Sequence, residues 1–143
     1  MGSDSESMAA SARVLVIDDQ EIARKLMTRL LTSAGFQVFA QPSAIGATRL
    51  MIRQQIAVVV IDVHMPALQG DKLVQLFREN PRFSDVGLIL VSGTSDGDTL
   101  EALGRAAGAD AVVPKYAIET SLVREVTRLA SRRPRTPTPE SPP

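Results

Sequence analysis

The centre of the hydrophobic pattern is residues 57–61, AVVVI, a continuous apolar run rich in β-branched side chains. Such a run suits a strand buried on both faces of a parallel sheet. It ends on Asp62, and Pro66 and Gly70 forbid further strand. Runs at 14–17, 36–40, 86–91 and 111–113 predict four more strands. Between them apolar residues return at helical spacing. Ile22, Leu26, Met27, Leu30 and Leu31 mark a first helix that Gln20 and Glu21 lead into and Gly35 ends. A second helix is expected from Pro42 and Ser43, facing inward through Ile45, Leu50 and Met51. A third, over 71–79, uses Leu73, Leu76 and Phe77 and is stopped by Asn80-Pro81. A fourth over 99–107 carries Leu100 and Leu103, and a last one from about 120 to 132 carries Leu122, Val126 and Leu129.

Five strands alternating with five helices, without an internal repeat, call for an α/β fold. The expected architecture is a doubly wound five-stranded parallel sheet in the order 2-1-3-4-5 with helices on both faces. Residues 1–12 are small, polar and unpatterned and read as a disordered arm, leaving 13–132 as the folded domain. Residues 133–143, proline-rich, read as an extended tail or linker.

Composition narrows the function classes. The 143 residues include 16 Lys plus Arg and 16 Asp plus Glu, so the net charge is zero. That argues against a domain-wide grip on nucleic acid or an anionic membrane. The absence of cysteine excludes disulfides, thiolate metal sites and thiol catalysis. No apolar run reaches the roughly 18 residues of a membrane span, and the start has neither a basic nor an apolar signal region. A cytoplasmic location is the expectation.

The candidate chemistry lies at the strand ends. Asp18 and Asp19 close the first strand and Asp62 the third, which are neighbours in the expected order. Strands ~4.8 Å apart can bring these three carboxylates together at the carboxyl edge of the sheet. Carboxylates that close repel one another unless a cation joins them, and an oxygen-only pocket suits Mg²⁺ or Mn²⁺. Ser92 ends the fourth strand and Lys115 the fifth. Carboxylate, hard cation, hydroxyl and lysine are the parts needed to take up a phosphoryl group as an acyl phosphate.

Taken in order, these elements resemble the receiver domain of bacterial response regulators. The resemblance rests on D-D after strand one, D-x-x-M-P-x-x-x-G over 62–70, S-G after strand four, Gly108-Ala109-Asp110 before strand five, and the lysine after it. It implies Asp62 as phosphoacceptor. It also implies that Asp19, Asp62 and the main-chain carbonyl of His64 hold Mg²⁺, with Asp18 acting largely through water. Ser92 and Lys115 would hold the phosphoryl group, and His64 would line the mouth of the site and tune hydrolysis. Partners implied are a sensor histidine kinase or histidine phosphotransfer protein, with a downstream protein or an output domain as recipient of the signal. The domain would act as a slow catalyst on its own side chain rather than as a dedicated enzyme. Homodimerisation through the last two helices is left open, since Glu101, Arg105, Arg124, Glu125 and Arg128 are as readily a solvated face.

Two positions depart from the family pattern. Proline follows the lysine in most relatives, whereas here Pro114 precedes Lys115 and Tyr116 follows it, so a different loop path is expected. Where relatives carry Tyr or Phe as a rotating switch residue, this chain has Val112, which cannot make that exchange. Both motivate an alternative, a pseudo-receiver that binds partners without phosphate control. An aspartate-nucleophile phosphatase is disfavoured because position 64 is His rather than an acid, and a nucleotide site lacks a Gly-rich loop after strand one.

Overall fold

The structure is a computed structural model, describing residues 12–93 and 97–132. Expectations for the arm over 1–11 and the tail over 133–143 fall outside the described residues. Strands β1 (Arg13–Ile17), β2 (Gln37–Gln41), β3 (Val58–Asp62), β4 (Gly87–Ser92) and β5 (Ala111–Pro114) form one sheet in the order β2-β1-β3-β4-β5. All four pairings are parallel, as the alternation of strands and helices predicted. Helices α1 (Glu21–Ser33), α2 (Ala47–Arg53), α3 (Gly70–Glu79) and α4 (Gly97–Ala107) connect them, and α5 (Val123–Ala130) follows β5.

Period-two alternation along the strands sorts the core into two layers. Val14, Val16, Val58, Val60, Ile89, Val91 and Val113 pack against α1 and α5 through Met27, Leu31, Val126 and Leu129. Leu15, Ile17, Val59, Ile61, Leu88 and Leu90 pack against α2, α3 and α4 through Met51, Leu73, Val74, Phe77 and Leu100. Because β3 and β4 are covered on both sides, every residue in them is buried, which explains their unbroken apolar runs.

Three expected core residues lie at the surface. Ile22 is 86% exposed; at 100° per residue it stands about 140° around α1 from buried Met27. Leu76 is 53% exposed because α3 buries Leu73, Val74 and Phe77, and Val74 takes the place expected of it. Ile45 is 87% exposed because the second helix begins only at Ala47. Gly46 takes φ 78°, a left-handed conformation that interrupts any helix from Pro42. The Gln41 side-chain amide holds the preceding loop by donating to the carbonyls of Ser43 and Ile45.

The last helix also differs from expectation. Its α-helical part starts at Val123, but a 3₁₀ turn over Lys115–Ala117 and a wider turn over Ile118–Leu122 lead into it. Ile118 joins Leu122, Val126 and Leu129 in the core, an anchor absent from the expected set.

At the amino edge of the sheet, Arg78 at the end of α3 acts as a strap. Its guanidinium donates to the carbonyls of Gly108 at 2.8 Å and Val86 at 3.0 Å, and pairs with the Asp110 carboxylate. Asp110 Oδ2 also accepts from the Leu88 N–H at 2.8 Å, while the Asp110 N–H donates to Leu88 O at 2.8 Å. The aspartate of the Gly-Ala-Asp segment thus splices the starts of β4 and β5 to α3.

Candidate functional site

The carboxyl edge of the sheet carries the chemistry. Asp18 follows β1, Asp62 ends β3, Ser92 ends β4 and Lys115 follows β5. Register fixes their depth, since Ile17 pairs with Ile61, Asp62 with Val91, and Ser92 with Pro114. Asp18, Asp62 and Ser92 are buried, whereas Asp19 is exposed at the mouth. Carboxylate oxygens of Asp18, Asp19 and Asp62 lie within 4.8 Å of one another. The convergence expected from neighbouring strands is therefore present.

Lys115 Nζ reaches over this group, 3.3 Å from Asp18 Oδ2 and 3.4 Å from Asp62 Oδ1. Neither of those two buried oxygens has a hydrogen-bond partner. Burial first, and then the neighbouring Asp18 carboxylate, push the Asp62 carboxyl up from its ordinary 3.8 to about 6. Lys115 and the backbone N–H of His64 oppose that rise. Buried carboxylate oxygens without hydrogen bonds, facing an exposed third carboxylate, form an all-oxygen set that fits a hard divalent cation. The His64 side chain is exposed and is not part of that ligand group.

The loop from Asp62 to α3 depends on one glycine. A Cβ on Gly70 would stand 2.2 Å from the Asp62 carbonyl oxygen, and the Gly70 N–H donates to Val63 O at 2.8 Å. The start of α3 is thereby pressed onto the backbone that carries Asp62.

Val112 lies half-buried on β5, paired with Leu90, and packs toward α4. A Cβ on Gly104 would come within 2.3 Å of Val112 Cγ1, so the missing side chain on the helix makes room for the valine. Gly104→Ala is expected to cost about 2 kcal/mol. In urea-denaturation cycles, combining it with Val112→Ala should cost less than the sum of the single changes. Additive costs would show that the two residues do not share that space. Tyr116 lies exposed in the 3₁₀ turn.

Sequence reasoning missed two residues at this edge. Gln20 Oε1 accepts from Lys115 Nζ at 2.6 Å, and Arg24 Nη1 donates to the Asp18 carbonyl at 2.9 Å. The available signal was position: Gln20 follows the Asp pair and Arg24 stands one helical turn later.

Comparison with known proteins bears directly on this arrangement. Residues 14–127 match the response regulator receiver domain. The transcriptional regulatory protein PrrA of Mycobacterium tuberculosis is 33% identical over 131 residues, covering 92% of this chain and 55% of PrrA. AruR of Pseudomonas aeruginosa, also a transcriptional regulatory protein, is 31% identical over 130 residues, covering 87% of this chain and 52% of AruR. The chain thus spans about half the length of these regulators. In fold it is similar to the crystal structure of the signal receiver domain of a signal transduction histidine kinase from Syntrophus aciditrophicus. The TM-score is 0.77 at 22% identity, covering 92% of this chain and 98% of that one. Strand order, acidic edge and sequence match agree, and the chain belongs to the response regulator receiver domain family.

Proposed function

We propose that this receiver domain accepts a phosphoryl group on Asp62 in a Mg²⁺- or Mn²⁺-dependent reaction and thereby switches partner binding. The observation that carries the reading is the pair of buried, hydrogen-bond-free oxygens on Asp18 and Asp62 beneath Lys115 Nζ. Such an arrangement costs stability, and a phosphoryl-transfer site gives it a use.

Asp62 supplies the nucleophile. One of its oxygens attacks phosphorus in a phosphohistidine of a sensor histidine kinase or phosphotransfer protein, or in a small acyl phosphate. The P–N or P–O bond breaks, and the donor leaves with the electron pair. Lys115 compensates the charge on the transferred group, and the Ser92 hydroxyl hydrogen-bonds one of its oxygens. Asp18, Asp19 and Asp62, with the main-chain carbonyl of His64, would hold the cation, which supplies charge neutralisation on the phosphoryl oxygens. Attack of water later returns the free carboxylate and inorganic phosphate. His64, exposed two residues after Asp62, lies at the mouth, where it can tune that hydrolysis. The recipient of the signal is a partner protein or an output domain in cytoplasmic two-component signalling.

Val112 sits against Gly104 rather than in the role of a rotating aromatic, so Ser92 and the α4–β5 face would communicate through a displacement of α4 itself. On the outer face of the last helix, Arg128 pairs with Glu125 at 2.8 Å within its own chain.

The test is incorporation of the phosphoryl group of acetyl phosphate, with and without Mg²⁺, into wild type and Asp62→Asn. Mg²⁺-dependent labelling that disappears in the variant is expected. A folded wild type that takes no label even from a competent kinase would leave a phosphate-independent interaction module.

A further inference from the structure

A lysine ammonium has three donors and no acceptor. Among the described residues, Lys115 Nζ faces Gln20 Oε1 at 2.6 Å, Asp18 Oδ2 at 3.3 Å and Asp62 Oδ1 at 3.4 Å. The order inverts what charge alone dictates, because an ammonium and a carboxylate ordinarily close to about 2.7–2.9 Å. The neutral amide holds the short contact, and the two carboxylates stand off.

Gln20 is placed to impose this. It occupies the position immediately before α1, where a side chain commonly accepts from the first free N–H groups of the helix. The Gln20 side chain makes no such bond. It turns to Lys115 instead, while its own N–H donates to Asp18 Oδ1 at 2.8 Å. One residue thus grips the lysine through its side chain and the far oxygen of Asp18 through its backbone.

We propose that Gln20 is a positioning residue that holds the Lys115 ammonium off Asp18 and Asp62, keeping one buried oxygen on each open to a divalent cation. The inference rests on the phosphoacceptor reading above and adds to it a residue that governs cation affinity. Without the amide, the ammonium settles onto the two carboxylates and an entering cation must displace it. With the amide, lysine and cation divide the acidic edge between them.

Calorimetric titration of the full chain with MgCl₂, without any phosphodonor, tests this on wild type, Gln20→Ala and Gln20→Glu. Thermal melts and the NMR signal of the Lys115 ammonium are recorded alongside. Gln20→Ala is expected to weaken Mg²⁺ binding roughly fivefold, the scale of one net hydrogen bond. Its Lys115 signal should move while its melting temperature stays that of wild type. Gln20→Glu keeps an acceptor of the same shape and is expected to bind Mg²⁺ at least as tightly as wild type. Equal Mg²⁺ affinity in wild type and Gln20→Ala would overturn the role of Gln20 alone. Weakened binding in both variants in step with a fall in melting temperature would also overturn it, leaving Gln20 a structural residue. A wild type that binds no Mg²⁺ would overturn the phosphoacceptor reading and this inference together.

Discussion

Asp62→Asn is expected to stabilise the metal-free protein by about 3 kcal/mol above pH 7, the free-energy equivalent of a rise of roughly two pKa units. An acid whose carboxyl is pushed up from 3.8 to about 6 on folding holds its proton more tightly folded than unfolded. Its contribution to stability is therefore fully present below pH 3.8, declines as the pH rises, and is lost once the pH passes about 6. An asparagine, never charged, escapes that decline. Urea unfolding followed by circular dichroism from pH 4 to pH 8 should show two curves that nearly coincide at the acid end and part through pH 6. Added Mg²⁺ should narrow the gap, because a ligand that binds only the folded wild type raises its stability by mass action. Parallel curves across the whole range would mean that the buried carboxylate is compensated within the protein after all.

Gly70→Ala is the second large effect, and it acts through space rather than charge. The new Cβ would stand 2.2 Å from the Asp62 carbonyl oxygen, 2.8 Å from its carbonyl carbon and 2.9 Å from Ile61 Cγ2. Two of those three neighbours are backbone of a fully buried strand and cannot rotate away. Gly70 must move instead, taking with it the start of α3 and the N–H that it donates to Val63 O. A loss of about 3 kcal/mol or more is expected in urea denaturation. Gly97→Ala serves as control, since nothing lies within 4 Å of a Cβ built there and the same change should be close to neutral. A tolerated alanine at position 70 would show that α3 does not bear on the strand end.

Most of the architecture was legible because it rests on single-residue facts. A strand covered on both faces must be apolar throughout, and residues 57–61 announce one. The acidic edge was legible because parallel strands all end on the same side, so charges that terminate β1 and β3 must meet. Helix faces were harder to read. Ile22, Ile45 and Leu76 are apolar residues left at the surface, and composition alone does not distinguish them from Met27, Met51 and Val74. The contacts of Gln20 and Gly104 were not legible at all. Gln20 carries no sign of Lys115, which lies 95 positions on, and Gly104 carries none of Val112. Each pair becomes informative only when the fold brings its members together.

The strap at Arg78 has a mechanical consequence. It joins the end of α3, the loop before β4 and the start of β5 at the amino edge, opposite Asp62. The amino edge is therefore a clamped pivot. A tilt of α4 about it would produce the least travel at Asp110 and the most at the carboxyl edge, where α3 is already tied through Gly70. Strand register survives such a tilt, since the clamp holds the starts of β4 and β5 level.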